Sequence, residues 1–223
     1  MLEMIKKWRF ERALGALQKS PHEALRSFAA SDWPARNMPA IDAPMLALDF
    51  ELDGLTKDAH LLQAGWLECD ARSIALSTAC GFDIKSDARL KSEAVVIHGI
   101  GEQRAAAGRE LGYVIDQLIA ALSGRVLVAH AAMMERDALR RAVKTLYGAD
   151  LPIRAICTLT LERRLNPNLV GADAYRLGPC RARYGLPPYA AHDALTDAIA
   201  AAELFQAQLS RMPRDTTLSQ LEC

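Results

Sequence analysis

The 223-residue chain lacks any close cysteine pair: Cys69, Cys80, Cys157, Cys180 and Cys223 form no CxxC spacing, and an odd number of thiols fits poorly with a closed disulfide framework. They read as reduced thiols of a cytosolic protein. There is no long apolar run. The opening stretch MLEMIKKWRFERALG is broken by charges every few residues, so it is no signal peptide, and no later segment approaches membrane-spanning length. A soluble, cytoplasmic protein is expected. Net charge is also missing: 27 Lys and Arg offset 27 Asp and Glu, which leaves none of the global electrostatic footprint of a protein that coats duplex DNA. Internal repeats and low-complexity tracts are absent too. With 51% hydrophobic residues, one well-buried core plus an appendage is expected.

Residues 1 to about 30 read as helical. Ser20-Pro21-His22-Glu23 has the pattern of a capping box opening a second helix. Ser31 to Pro44 carries Pro34, Pro39 and Pro44 without sustained periodicity, which predicts an extended connector. The expected division is a helical N-terminal extension with a Pro-containing linker over 1–44, a main domain over 45–211 and a C-terminal tail over 212–223. Within the main domain MLALDF, LLQAGWLEC and SIALSTACGF predict three strands joined by hairpins. A helix from about Arg104 to Leu122, a strand at Val126 to Ala129, a helix from about Met133 to Tyr147 and a strand at Ile153 to Cys157 follow. The order βββαβαβ predicts an α/β fold with a mixed sheet covered by helices.

Acidic residues stand at the edges of these apolar runs, where a charge is costly unless it is paired or binds a metal. Asp49 and Glu51 are two apart on a predicted strand and leave the same face. A shared cation and a solvated acidic edge both fit them. Glu135 falls in line with the core stripe Leu139, Val143, Leu146, so its carboxylate points inward, whereas Asp137 is rotated towards solvent. Asp197 sits beside the stripe Ala198, Ala202, Phe205, Leu209 if the last helix begins near Asp193. His192, five residues earlier, then belongs to the loop entering that helix, either with no task or placed to take a proton at neutral pH. His98 and His130, taken segment by segment, read as hydrogen-bonded structural histidines rather than metal ligands. Arg136, Arg140, Arg141 and Lys144 read as a solvated helix face, with phosphate contact as the alternative.

Taken together these residues resemble the DEDDh 3'-to-5' exonuclease family, which includes DNA polymerase III epsilon-like and ribonuclease T-like domains. Asp49, Glu51 and Gly54 match its first motif, His130 and Glu135 its second, His192 and Asp197 its third, and IHGI at 97–100 also looks like the family. The match covers roughly residues 45–210. The resemblance implies a ribonuclease H-like fold and a pair of Mg²⁺ or Mn²⁺ ions about 4 Å apart. It implies that Asp49 contacts both ions, that Glu51 and Asp197 complete one site, that Glu135 supports the other directly or through water, and that His192 is the general base. Phe50, Leu52 and Leu55 become candidates for the terminal base or sugar, and His98 and His130 join them as nucleotide contacts. The implied activity is release of nucleoside 5'-monophosphates from the 3' end of single-stranded DNA or RNA, in proofreading or repair. The competing expectation is a non-catalytic adaptor whose residues 1–44 hold a polymerase or another protein partner. The sequence departs from the pattern in four respects: Glu135 replaces an aspartate, Leu52-Asp53 a threonine pair, Ala131 an asparagine and Gln63 an acid.

Overall fold

The computed structural model describes residues 2–54, 59–86, 100, 102–171 and 173–223. Two helices, α1 (Leu2–Leu17) and α2 (Glu23–Ala30), precede β1 (Met45–Leu52), β2 (Leu61–Cys69) and β3 (Cys80–Asp83). Then come α3 (Glu102–Ala106), α4 (Leu111–Leu122), β4 (Val126–Ala129), α5 (Met133–Tyr147), β5 (Ala155–Cys157), α6 (Thr158–Leu165), α7 (Leu177–Arg183), α8 (Ala194–Leu209) and α9 (Leu218–Leu221). The sheet order is β3-β2-β1-β4-β5. β1 and β2, and β2 and β3, pair antiparallel; β4 runs parallel to β1, and β5 parallel to β4. This is the expected mixed sheet.

The period of two along β1 divides the core. Leu46, Leu48 and Phe50 pack with Leu25, Phe28, Val114, Leu118, Leu139 and Val143. Met45 and Ala47 face the other way, onto Ala198, Ala202 and Phe205 of α8 and onto Leu218 and Leu221 of α9. Residues 36–40 lie against the end of the chain: Leu218 N–H donates to Met38 O at 3.0 Å, and Ser219 N–H to Arg36 O at 2.8 Å.

Several local expectations change. α2 begins at Glu23 with His22 as its N-terminal boundary, and no box forms at Ser20. Ser20 Oγ accepts from His22 N–H instead, while the Arg26 guanidinium holds the Ser20 and Pro21 carbonyls outside the helix. The predicted third strand shortens to its last residues because Asp70 folds Arg72 and Ser73 into a turn and Leu76–Thr78 becomes a 3₁₀ turn. The helix expected over 104–122 is broken at Gly108. There Arg109 exchanges backbone hydrogen bonds with Asp83 and Lys85, and a Cβ on Gly108 would stand 2.6 Å from the backbone of Ile84.

Candidate active site

β1 ends by placing Asp49 and Glu51 on the face that carries α8. The helix comes close because β2 has glycine beneath it: a Cβ at Gly65 would lie 2.1 Å from Leu195 N and 2.3 Å from Ala194 C. Asp193 caps α8, accepting from Thr196 N–H at 3.0 Å and from the Thr196 hydroxyl at 2.9 Å. Gln63 on β2 fixes the same helix end. Its Oε1 accepts from Ala194 N–H at 2.8 Å and its amide nitrogen donates to Asp83 and, more distantly, to Asp193. Arg104 closes this arrangement with two bonds to Asp83, at 2.6 and 2.8 Å. The consequence is Asp197, one turn into α8: one carboxylate oxygen each from Asp49, Glu51 and Asp197 lie within 4.8 Å of one another.

His192 stands in the loop before the cap, exposed, with φ of 71°, and its backbone N–H donates to Asp197 Oδ2 at 2.7 Å. On the opposite flank Glu135, in the first turn of α5, is 5% exposed and faces the sheet, while Asp137 is exposed. Glu135 does not belong to the 4.8 Å cluster, yet its charge acts on Asp49 more strongly than that of any other neighbour. Its Oε2 is buried without a hydrogen-bond partner among the described residues.

Burial pushes the Asp49 carboxyl well above the usual range, and Glu135, Asp197, Glu51 and Asp193 push it further; every neighbour acting on it is an acid. Glu51 is raised to about 8 by burial and then by Asp197 and Asp193. Glu135 is raised to about 8 by burial, with the Glu51 charge adding to it. Asp193 goes the other way: burial alone would raise it, but the Thr196 and Gln63 hydrogen bonds and the Arg104 charge bring it below its ordinary value. A cluster of acids with one orphaned carboxylate oxygen and only oxygen donors fits hard divalent cations such as Mg²⁺ or Mn²⁺.

Asp49 and Asp197 open onto a cleft of about 880 Å³ whose lining also includes His130, Tyr175, Tyr189 and His192. His130 is neutral, lowered to about 4 by burial. Its Nε2 donates to Tyr175 O at 2.9 Å and its Nδ1 accepts from the Thr158 hydroxyl at 2.9 Å, so both ring nitrogens are taken. Phe50 requires correction as a candidate for the terminal base: it is 6% exposed in the core on the far face of the sheet from Asp49 and Glu51. Leu52 shares that face and is half-buried. Leu55 and His98 lie outside the described residues.

Two residues of the cleft and one beside it are not marked by the sequence pattern as part of the site. Burial and then the neighbouring Asp197 carboxylate push the Tyr189 hydroxyl well above its ordinary value. Arg181 lies 5.0 Å from the Tyr189 ring and donates to Pro187 O, which pins the loop carrying that tyrosine. Tyr189 belongs to no regular element, and Arg181 sits in a seven-residue helix too short to display a periodic stripe. Asp193 does carry a signal, an aspartate at a helix start followed three residues later by Thr196, but that pattern marks a helix boundary and not a site.

Fold and site together define a ribonuclease H-like nuclease domain. Residues 46–205 match the model of the exonuclease family, RNase_T, and the chain belongs to that family, of the DEDDh type. It is 27% identical over 184 residues to the PolC-type DNA polymerase III of Thermotoga maritima and 26% identical to that of Thermotoga petrophila. Each alignment takes in 81% of this chain and only 13% of the polymerase, so the chain spans about an eighth of those relatives. Among solved structures it is similar to exonuclease X in complex with 5' overhanging duplex DNA, with a TM-score of 0.63, 22% identity, and coverage of 79% of this chain and 96% of that one. It is also similar to E. coli exonuclease I in complex with a dA16 oligonucleotide, with a TM-score of 0.64, 16% identity, and coverage of 78% and 42%.

Proposed function

We propose that this domain is a divalent-metal-dependent 3'-to-5' exonuclease that removes nucleoside 5'-monophosphates from the 3' end of a single strand. The observation that carries the reading is the gathering of Asp49, Glu51 and Asp197 within 4.8 Å of one another, with Asp49 and Asp197 in the same cleft as His192 and the orphaned Glu135 oxygen buried near enough for its charge to act on Asp49. Similarity to exonuclease structures holding DNA supports a DNA strand as substrate, and similarity to PolC-type polymerases supports a proofreading setting.

Asp49, Glu51, Asp197 and Glu135 would hold the cations. When bound, these supply stabilisation of the charge on the attacking and leaving oxygens and acidify the attacking water. The chain's own residues do the rest. His192, its backbone tied to Asp197, accepts the water's proton on a ring nitrogen as the new bond to phosphorus forms. The bond from phosphorus to the 3' oxygen of the preceding nucleotide breaks, and that oxygen takes its proton from solvent. Tyr189 sets a neutral hydroxyl next to the Asp197 carboxylate in the cleft. Glu135, one methylene longer than aspartate, reaches from α5 towards Asp49.

Incubation of 3'- and 5'-labelled DNA and RNA oligomers with Mn²⁺ or EDTA tests the proposal. Cation-dependent shortening from the 3' end, lost in Asp49→Asn, is expected; well-folded native protein that cleaves nothing would overturn it. That result would favour the adaptor reading, for which exposed Met4, Ile5 and Trp8 on α1 offer a docking face.

A further inference from the structure

The wall of the cleft made by α6 together with Gly171, Tyr175 and Arg176 holds an aromatic ring that the cleavage chemistry does not use. The Tyr175 hydroxyl donates to Asn166 O at 3.0 Å and accepts from Leu169 N–H at 3.2 Å, while its own carbonyl accepts from His130. The ring is therefore fixed before any substrate arrives. Arg163, in the last turn of α6, lies over it at 5.3 Å. That guanidinium is exposed and forms no ion pair among the described residues. Both side chains line the cleft that contains Asp49, His192 and Asp197.

Core packing does not account for this pair. Tyr175 is half-buried and belongs to none of the hydrophobic clusters. An unpaired nucleobase and its phosphate have matching needs: a rigid ring or guanidinium plane to stack on, and a positive charge within reach of the backbone. We infer that Tyr175 and Arg163 form a base subsite of the cleft, where one nucleobase of the bound strand joins the stack while the Arg163 charge meets the adjacent phosphate. This deepens the exonuclease reading and rests on it for the identity of the ligand as a nucleic acid strand. A base held this way must be unpaired, and because every base has a π-face the subsite tolerates any sequence.

The test is binding of a 5'-fluorescein dT10 oligomer in Ca²⁺, read by anisotropy, for native protein, Tyr175→Leu, Tyr175→Phe and Arg163→Gln. The same titrations use oligomers with one abasic residue at each of the last four positions. Tyr175→Leu should weaken dT10 binding by about 5- to 100-fold, the range of one lost base stack, while Tyr175→Phe keeps most of it. One abasic position should weaken native binding similarly and cause no further loss in Tyr175→Leu. Arg163→Gln, a change at an exposed position, should weaken binding and lower the salt slope by about one. Native-like binding by Tyr175→Leu and Arg163→Gln, losses that simply add at every abasic position, or failure of the native protein to bind dT10 would overturn the subsite. Coupled binding losses without Mn²⁺-dependent cleavage would keep the subsite and remove the exonuclease reading; cleavage with uncoupled binding would do the reverse.

Discussion

The His192 backbone N–H and Asp197 Oδ2 are 2.7 Å apart, which ties the proposed base and a proposed cation ligand into one unit. The five-residue spacing works because His192 lies in the left-handed region, φ 71°, and turns the chain back onto the first turn of α8. A residue with a Cβ is strained there by about 1–2 kcal/mol. His192→Gly removes the imidazole but keeps the N–H and suits the backbone. Nucleotide release should fall by about 10²- to 10⁴-fold, the usual contribution of a general base, while thermal stability holds or rises. Activity within a few fold of native would remove His192 from the mechanism.

The raised acids set a pH dependence. Glu51 and Glu135 hold their protons to about 8 in the folded state and Asp49 moves in the same direction. Unfolded carboxyls lose theirs near about 4. Between these limits the folded state binds more protons, so without divalent cations stability should fall as pH rises from about 4.5 to about 8. Asp193 and Glu162, held below their ordinary values, act only at the acid end. His130, lowered to about 4, opposes the trend by one proton up to its ordinary value of 6.5, which against three raised acids reduces the slope there without reversing it. Mn²⁺ must displace the protons, so its stabilising effect should be larger at pH 8 than at pH 5. Thermal melts in EDTA and in Mn²⁺ across this range check both; an EDTA profile flat from pH 5 to 8 would contradict the electrostatics.

Glu135→Gln separates stability from function at one residue. The amide keeps the shape but removes a buried charge that repels Asp49. In EDTA at pH 8 the variant should melt higher than native protein. Its cleavage rate should fall at least about tenfold and its Mn²⁺-induced stabilisation should shrink, since loss of even an outer-shell partner costs a metal site about that much. A variant less stable than native in EDTA would mean that the repulsion is already relieved by an undissociated carboxyl.

The acids were legible because each sits in a regular element. Period two put Asp49 and Glu51 on one face, and the helical period put Glu135 inward and Asp137 outward. The same period two sends Phe50 to the far face, so reading it as a base contact gave proximity in sequence more weight than direction. Gln63 and Ala194 meet across 131 residues and Arg104 reaches Asp83 across 21, contacts that exist only because α8 crosses β2 and Gly108 breaks a helix. No local pattern encodes such crossings. Tyr175 is similar: its anchors Asn166 and Leu169 are near in sequence, but irregular backbone carries no period from which a cleft-facing ring could be inferred.

Gly65 and Gly81 face the same helix with different clearances, which makes them a matched pair. A Cβ at Gly65 would meet only backbone, at 2.1 Å from Leu195 N and 2.4 Å from Leu195 Cα, and neither atom can step aside without moving α8. At Gly81 the nearest atoms are the Leu195 side-chain Cβ and Cδ2, at 3.5 and 3.7 Å, ordinary contact distances. Gly65→Ala should therefore cost about 3 kcal/mol or more, a fall in melting temperature of about 6–12 °C, and Gly81→Ala less than about 1 kcal/mol. The larger effect is positional. Any shift of α8 that admits the methyl group carries Asp197 away from Asp49 and Glu51, so Gly65→Ala should lose Mn²⁺-induced stabilisation even at temperatures where it remains folded. Gly81→Ala should retain it. Calorimetric Mn²⁺ titration of the two variants decides the matter: equal binding would mean that the approach of α8 to β2 does not set the geometry of the acids.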